Sequence, residues 1–159
     1  MTDTLIDALK ILTALGSGLV AGIFFAFSAF VMTALGRISP DKGISAMQSI
    51  NITVLNPWFF GVFFGTAAGS AVLAIIAILD LGESGGIRLL AGSLLYLIGS
   101  ILVTILFNVP MNNALAAVKP DSVEGRELWT HYLYRWTIWN HVRTVASLAA
   151  ATAFIVVLR

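Results

Sequence analysis

Long uncharged stretches constrain the fold of this chain more than any other feature of its sequence. A helix needs about 20 consecutive apolar residues to cross the hydrocarbon core of a bilayer. The charged residues leave four such stretches, which lie between Lys10 and Arg37, between Lys42 and Asp80, between Arg88 and Lys119, and after Arg143. These stretches predict a single transmembrane domain over residues 1–159, with spans at roughly 8–35, 52–79, 88–109 and 132–158.

The last predicted span needs polar residues inside the membrane. The apolar run after Arg143 is too short to span a bilayer by itself, so the helix has to begin earlier and to include Asn140 and His141. Ionisable groups inside a membrane usually face the bundle interior or a water-filled cavity. Two alternatives stay open, namely an arginine that reaches out to lipid phosphate and a histidine with a purely structural role.

The composition excludes several classes of protein. Only 11% of the residues are charged and 58% are hydrophobic, whereas a soluble domain has roughly 25% charged residues. A formal net charge of +1 gives no basic surface for a phosphate backbone, so nucleic acid is not an expected partner. The sequence has no cysteine, which excludes disulfides and thiolate metal sites. We therefore expect an all-α integral membrane protein.

Short connections join the four predicted spans. Helices with such connections pack as antiparallel neighbours, so we expect a four-helix bundle with up-down topology. Within the first connection, residues 40–43 (Pro-Asp-Lys-Gly) predict a turn, and residues 44–51 predict a short amphipathic segment that leads into the second span.

Small residues recur every four positions in the first two spans. They are Ala14, Gly18, Gly22 and Ala26 in the first span and Gly61, Gly65 and Gly69 in the second. Small side chains let membrane helices approach closely, so we expect these two helices to be in contact. The same residues also allow a homo-oligomer, through Gly18 and Gly22 or through the three glycines of the second span.

Basic residues are distributed unevenly between the two ends of the bundle. Lys10, Arg88 and Arg159 lie at the end of the two termini, whereas Arg37, Lys42, Lys119, Arg126, Arg135 and Arg143 lie at the other end. Basic residues favour the cytoplasmic side of a membrane. We therefore expect a multi-pass protein of the cytoplasmic (inner) membrane, with its first and third connections in the cytoplasm.

The antiparallel order brings polar residues to the end of the bundle bounded by the first and third connections. They are Asn51, Asn56, Asn108, Asn112, Asn113, Asn140, His141 and Arg143, with Trp136 and Trp139 beside them. Polar groups in hydrocarbon need partners, so we expect a pocket here, with walls formed by Phe24, Phe27, Ser28 and Val31. The alternative for several of the asparagines is helix capping beside proline, or an interruption of the third span near residues 108–110.

The spacing of the two histidines argues against a metal site on one helix. His131 and His141 are ten residues apart, which is about 15 Å along a helix. The sequence also lacks Glu-x-x-His pairs and acidic residues in the middle of the predicted spans. We therefore predict no metal or other cofactor, while haem with one histidine ligand and a metal shared between subunits stay open.

Five motifs follow one another along nearly the whole chain. They are Gly-Ile-Phe-Phe-Ala-Phe-Ser-Ala-Phe-Val at residues 22–31, Ala-Met-Gln-Ser-Ile-Asn at 46–51, Asn-Pro-Trp-Phe at 56–59, Phe-Asn-Val-Pro-Met-Asn-Asn at 107–113, and Arg-Trp-Thr-Ile-Trp-Asn-His-Val-Arg-Thr at 135–144. In these motifs the chain resembles the anthrone oxygenase-like family of small four-helix membrane proteins, many of them of unknown function. The most specific elements are Asn-x-Pro-x-Asn-Asn and Trp-Asn-His-x-Arg.

The resemblance implies an oxygenase that uses dioxygen to turn the methylene group of an anthrone into a quinone carbonyl. On this hypothesis the catalytic residues are His141, as the base, and Arg143, which holds the enolate oxygen. The substrate-binding residues are Asn56, Asn108, Asn112, Asn113, Trp136, Trp139 and Asn140. The expected partners are a flat lipophilic aromatic molecule and membrane lipid.

A non-catalytic membrane protein is the alternative hypothesis. Glycine seams and capping asparagines are also typical of a bundle that binds a lipid or another small molecule, or that assists the assembly of other membrane proteins.

Overall fold

The structure is a computed structural model that describes residues 2–79 and 85–158, and these residues are helical almost throughout. We label the helices α1 (residues 2–37), α2 (Pro40–Thr53), α3 (Pro57–Leu79), α4 (Gly86–Ala116) and α5 (Val123–Val156). The two described ranges contain no β-strand. The all-α class predicted from the sequence is therefore confirmed.

Two of the long helices contain π-helical segments, which are wider than an α-helix because each amide bonds to the carbonyl five residues earlier. α1 is α-helical over Thr2–Ala26, π-helical over Phe27–Val31, and α-helical again over Met32–Arg37. α4 is α-helical over Gly86–Tyr96, π-helical over Leu97–Leu102 and Thr104–Asn108, and α-helical over Val109–Ala116. Such segments are frequent at functional sites.

Two prolines lie inside helices where the sequence favours breaks. The helix interruption expected near residues 108–110 does not occur, because Pro110 lies in the first turn of the segment Val109–Ala116. Pro40 likewise begins α2, although residues 40–43 were expected to form a turn. At Pro40 the N–H group that proline lacks would have no partner within α2. Pro110 directly follows the π-helical segment Thr104–Asn108, where the regular hydrogen-bond pattern of α4 is already changed.

The long helices run antiparallel in the order α1, α3, α4, α5 around the bundle. Thr13 of α1 faces Gly69 of α3, and Gly16, further along α1, faces Thr66, which is earlier in α3. α3 contacts α4 where the Tyr96 hydroxyl donates to a backbone carbonyl of α3 at 3.1 Å.

The α4–α5 contact shows the same opposed direction. Gly92 faces Phe154, whereas Gly99 faces Ala146, which comes earlier in α5. The short helix α2 packs on one end of the bundle, where Ile44 is fully buried. The four long helices therefore form the predicted up-down bundle, and α2 is a fifth helix within the first connection.

The glycine seams differ in detail from the sequence prediction. The glycine of α1 that packs against α3 is Gly16, since a side chain on Gly18 or Gly22 would meet nothing within 4 Å. Gly61 and Gly65 of α3 are equally open. These four open glycines lie on the outer surface, and the homo-oligomer contact expected from the sequence stays a prediction.

We expect Gly99→Ala to lower the free energy of unfolding by about 1–3 kcal/mol, because the added methyl group would overlap the methyl group of Ala146 on α5. Gly61→Ala is the matched control in α3, since the space around its added methyl group is open. Unfolding curves of both variants in the same detergent measure the difference. Equal stability of the two variants would contradict this close contact between α4 and α5.

Three helices are long and apolar enough to cross a membrane, namely Asp3–Arg37, Pro57–Leu79 and Gly86–Ala116. α5 is not among them, because charged and polar side chains interrupt its apolar surface. Large apolar side chains on the outside of the bundle, such as Leu12 and Ile105, are more than one-third exposed. The chain is therefore a membrane protein, and a fourth span along α5 stays a prediction.

Candidate functional site

A cavity of about 220 Å³ lies at the end of the bundle where α1 and α4 are π-helical. All five helices contribute to its lining, which includes Phe24, Phe27, Met47, Asn51, Phe59, Phe63, Thr104, Asn112, Trp136 and Arg143. A void of about 150 Å³ is sufficient to hold one benzene molecule. The cavity therefore has room for a ligand with more than one ring.

Arg143 is the only charged side chain among the described residues that line this cavity. The residue is 5% exposed. Its Nη1 donates to Thr104 Oγ1 at 3.1 Å and its Nη2 donates to Asn140 Oδ1 at 2.7 Å. Its Nε is buried and has no partner in the part of the chain that the structure describes. The guanidinium group therefore has only neutral hydrogen-bond partners here.

Asn140 fixes the position of Arg143. It is fully buried, and its Nδ2 donates to the Phe24 carbonyl and to Ser28 Oγ, each at 2.7 Å. Its Oδ1 accepts the hydrogen bond from Arg143. Asn140 thus joins α5 to α1 at the start of the π-helical segment, and it lies behind the cavity wall. Asn140 is not among the described residues that line the cavity, and the contact with substrate that the sequence predicted for it stays a prediction.

Two aromatic rings lie against the guanidinium group of Arg143. Arg143 Cζ lies 4.1 Å from the ring centroid of Phe24 and 5.2 Å from that of Trp136. The Trp136 indole N–H donates to Asn112 Oδ1 at 2.8 Å, which fixes the ring. Cation–π contacts of this kind stabilise a buried cation. The guanidinium group lines the cavity with an N–H group that has no partner among the described residues.

Phenylalanines of α3 form the opposite wall of the cavity. Phe59 and Phe63, one helical turn apart, stack with a centroid distance of 5.3 Å and an interplanar angle of 15°. Phe63 also meets the ring of Phe24 edge to face at 6.3 Å. Aromatic walls on both sides suit a flat lipophilic ligand.

The cavity opens sideways between α3 and α4. Its rim residues Phe60, Phe64 and Ile105 are exposed apolar side chains on the outside of the bundle. A neighbouring depression of about 320 Å³ shares Asn51 and Asn112 with the cavity and is also lined by the amide side chains of Gln48 and Asn113. The cavity therefore has an apolar rim on the side of the membrane and amide groups at its other border.

The structure brings several of the predicted site residues together. Arg143, Trp136 and Asn112 line the cavity, as do the predicted wall residues Phe24 and Phe27. Asn108 is buried behind Trp136, and its Nδ2 donates to the Trp136 carbonyl at 3.3 Å. Asn108 Oδ1 is buried without a partner in the described ranges.

His141 does not join this cluster, because its side chain is exposed on the outside of α5. Each residue of an α-helix turns the side-chain direction by about 100°. Since Asn140 points into the bundle, its neighbour His141 points to the exposed outer side of α5. The sequence predicted that His141 and Arg143 would meet in one polar cluster, and the structure places Arg143 in the interior and His141 on the surface.

Three more predicted binding residues lie outside the cavity. Asn56 begins α3 as its N-cap, with its Oδ1 accepting hydrogen bonds from two backbone N–H groups at 3.1 and 3.0 Å. Asn113 is exposed and lines only the amide depression. Trp139 stacks on Phe107, with a centroid distance of 3.5 Å. Helix capping, which the sequence left open as an alternative, explains Asn56.

Sequence reasoning missed Thr104, the α3 phenylalanines and Tyr132. The Tyr132 hydroxyl donates to Asn112 Oδ1 at 2.8 Å and helps to fix this asparagine. The spacing of Phe59 and Phe63 was an available signal, because residues four apart share one face of a helix. Thr104 gave no signal, since a threonine in a membrane helix commonly bonds to its own backbone.

Potential metal ligands are scattered over the described part of the chain. Within it, no group of three or more histidine or acidic side chains lies close enough to hold a metal ion. His131 and His141 are both exposed on α5. The prediction of a site without a cofactor stays a prediction.

Comparison with known proteins gives one match. The family model described as Anthrone oxygenase matches residues 59–153, which is more than half of the chain. The matched range runs from the first turn of α3 nearly to the end of α5, and it includes Asn112, Trp136, Asn140 and Arg143. Neither a curated protein nor a solved structure matches the sequence.

Proposed function

Because the chain belongs to the anthrone oxygenase family, we propose that it is an integral membrane oxygenase that acts with dioxygen on a flat lipophilic aromatic substrate of the anthrone type. The observation that carries this proposal is the buried cation of Arg143 in a cavity whose walls are largely aromatic and aliphatic. Such a cavity suits a planar hydrocarbon with one oxygen atom that becomes negative during the reaction.

The proposed reaction converts a methylene group into a carbonyl group. Loss of a methylene proton leaves an electron pair that delocalises onto the ketone oxygen, which gives an enolate. The enolate carbon donates electrons to dioxygen and forms a C–O bond, and protonation yields a hydroperoxide. Loss of water then breaks the O–O bond and the second C–H bond. One oxygen atom enters the product, the other leaves as water, and the substrate supplies all the electrons without a bound cofactor.

The cavity residues take separate roles in this proposal. Thr104 and Asn140 hold the guanidinium group of Arg143 in place. Its remaining N–H groups stabilise the enolate oxygen. Phe24 and Trp136 contact the faces of the substrate rings. His141 is exposed, so the proposal places no base at this residue. The methylene proton leaves to water at the amide-lined border of the cavity.

Oxygen uptake by the purified protein tests the proposal. With an anthrone as substrate, we expect oxygen consumption above a detergent blank and one molecule of anthraquinone for each molecule of oxygen. Anthracene is the control, because it has the same flat ring system without an acidic methylene group. Saturable binding of the anthrone with no oxygen uptake would contradict the proposal and favour the non-catalytic binding protein.

We further propose that the protein lies in the cytoplasmic (inner) membrane with its first and third connections facing the cytoplasm. Exposed basic residues at that end of the bundle support this orientation, namely Arg37, Lys42, Lys119, Arg126 and Arg135. Lys10 and Arg88 lie at the opposite end. Arg159, which also counts toward that end, lies outside the described residues.

A further inference from the structure

We propose that the cavity selects its ligand as an oxyanion, so that an aromatic molecule with an acidic hydroxyl group is bound in its ionised form, with the negative oxygen on Arg143. This inference rests on the proposed function and deepens it, because it names the charge state and the substituent of the substrate.

Arg143 has no opposite charge beside it among the described residues. An arginine buried in the interior of a protein is strongly destabilising unless an opposite charge compensates it. The one ion pair in the described ranges joins Lys10 and Asp7, near the start of α1. The hydrogen-bond partners of Arg143 are the neutral groups of Thr104 and Asn140. A ligand oxyanion provides the compensating charge, and a neutral carbonyl oxygen does not.

The described residues that line the cavity include no base. The facing groups from α1, α2 and α3 are aromatic, aliphatic or amide side chains. α4 contributes Thr104 and Asn112, which are also neutral. On α5 the nearest titratable side chain is Tyr132, and a tyrosine is uncharged at neutral pH. A site with a cation and no base favours a ligand that gives up its own proton.

Arg143 has N–H groups without a partner among the described residues. A guanidinium group has five N–H donors. Two of them bond to Thr104 and Asn140, and the donor on Nε is buried without a partner in the described residues. Phe24 and Trp136 contact the guanidinium group, and its remaining N–H groups form their strongest hydrogen bonds to an ionised oxygen in the plane of the group. The ionised oxygen of a flat aromatic ring system can lie in this plane and accept these hydrogen bonds.

The absorption spectrum of a bound probe tests the inference. We choose 1-hydroxyanthracene as the probe, because its ionised and neutral forms absorb at different wavelengths, and we keep the samples under nitrogen so that no oxidation occurs. Bound to the parent protein, the probe should ionise at a lower pH than in protein-free detergent, with an ionisation constant at least roughly tenfold larger. Arg143→Gln should abolish this change, whereas Arg135→Gln, which alters an exposed arginine of the same helix, should retain it.

The methyl ether of the probe shows whether Arg143→Gln has lost only the charge of Arg143 or has also lost its fold. It has no ionisable proton, so Arg143→Gln should bind it about as tightly as the parent protein does. If Arg143→Gln fails to bind the ether, ionisation of the probe is compared between the parent protein and Arg143→Lys, which keeps the positive charge. Both should then ionise the probe at a lower pH than detergent alone does. A bound probe that stays neutral in the parent protein, or that ionises equally in Arg143→Gln, overturns the inference. Since no step consumes oxygen, a protein that ionises the probe and lacks turnover contradicts only the proposed oxygenase function.

Discussion

Replacing Arg143 by glutamine is expected to slow oxygen consumption with an anthrone substrate roughly 100-fold or more. The glutamine side chain keeps a hydrogen-bond donor and removes the only charge among the described cavity residues, so the enolate loses its electrostatic partner. An oxygen electrode measures the initial rates of the parent protein and the variant. Each rate is divided by the amount of protein that binds the methyl ether of 1-hydroxyanthracene.

His141→Gln is the control for Arg143→Gln, because His141 lies two residues from Arg143 on the same helix. Its side chain is exposed outside the cavity, so we expect its rate to stay within roughly threefold of the parent rate. A large loss of activity in His141→Gln together with a nearly normal rate in Arg143→Gln would contradict the proposed site. That result would restore the role of base that the sequence predicted for His141.

The second large effect concerns stability. Asn140→Leu should lower the free energy of unfolding by about 3 kcal/mol, because it breaks three hydrogen bonds of a fully buried amide, one of them to the guanidinium group of Arg143. For a protein of this size the loss corresponds to a fall in the unfolding midpoint of roughly 6–12 °C. Thermal unfolding in a fixed detergent measures it.

Asn113→Leu is the matched control for this experiment. Asn113 is exposed, so the same change in side chain removes no buried hydrogen bond in the described structure, and its midpoint should stay close to that of the parent. Equal midpoints for the two variants would show that the bonds of Asn140 contribute little, and that Arg143 is positioned by its aromatic neighbours.

The sequence predicted the interior of the bundle well where regular helical geometry applies. The predicted cluster at this end of the bundle includes Trp136, Asn140 and Arg143, which share one face of a helix with 3.6 residues per turn and are buried together. The predicted cluster also included His141, whose side chain is exposed. The sequence identifies which side chains are polar. Because side-chain direction changes by about 100° with each residue of an α-helix, neighbouring polar residues can point to the cavity and to the outer surface.

Other parts of the site depend on packing that a single sequence does not encode locally. The π-helical segments of α1 and α4 shift the direction of every later side chain, so a regular helical projection cannot place Thr104 or Asn112. Helix α2 was predicted as a short amphipathic segment, but its position against the cavity depends on contacts with α5. The contact glycine Gly16 lies outside the i, i+4 series, because helix rotation decides which small residue meets the neighbouring helix.

Under the proposed function, the apolar rim formed by Phe60, Phe64 and Ile105 favours entry of substrate from the bilayer and not from the aqueous phase. The concentration that governs binding is then the mole fraction of substrate in the lipid, which its partition coefficient determines. Adding more lipid at constant substrate dilutes that mole fraction and raises an apparent Michaelis constant expressed per volume of water. Dioxygen also dissolves better in hydrocarbon than in water, so the bilayer would concentrate both reactants at the rim of the cavity.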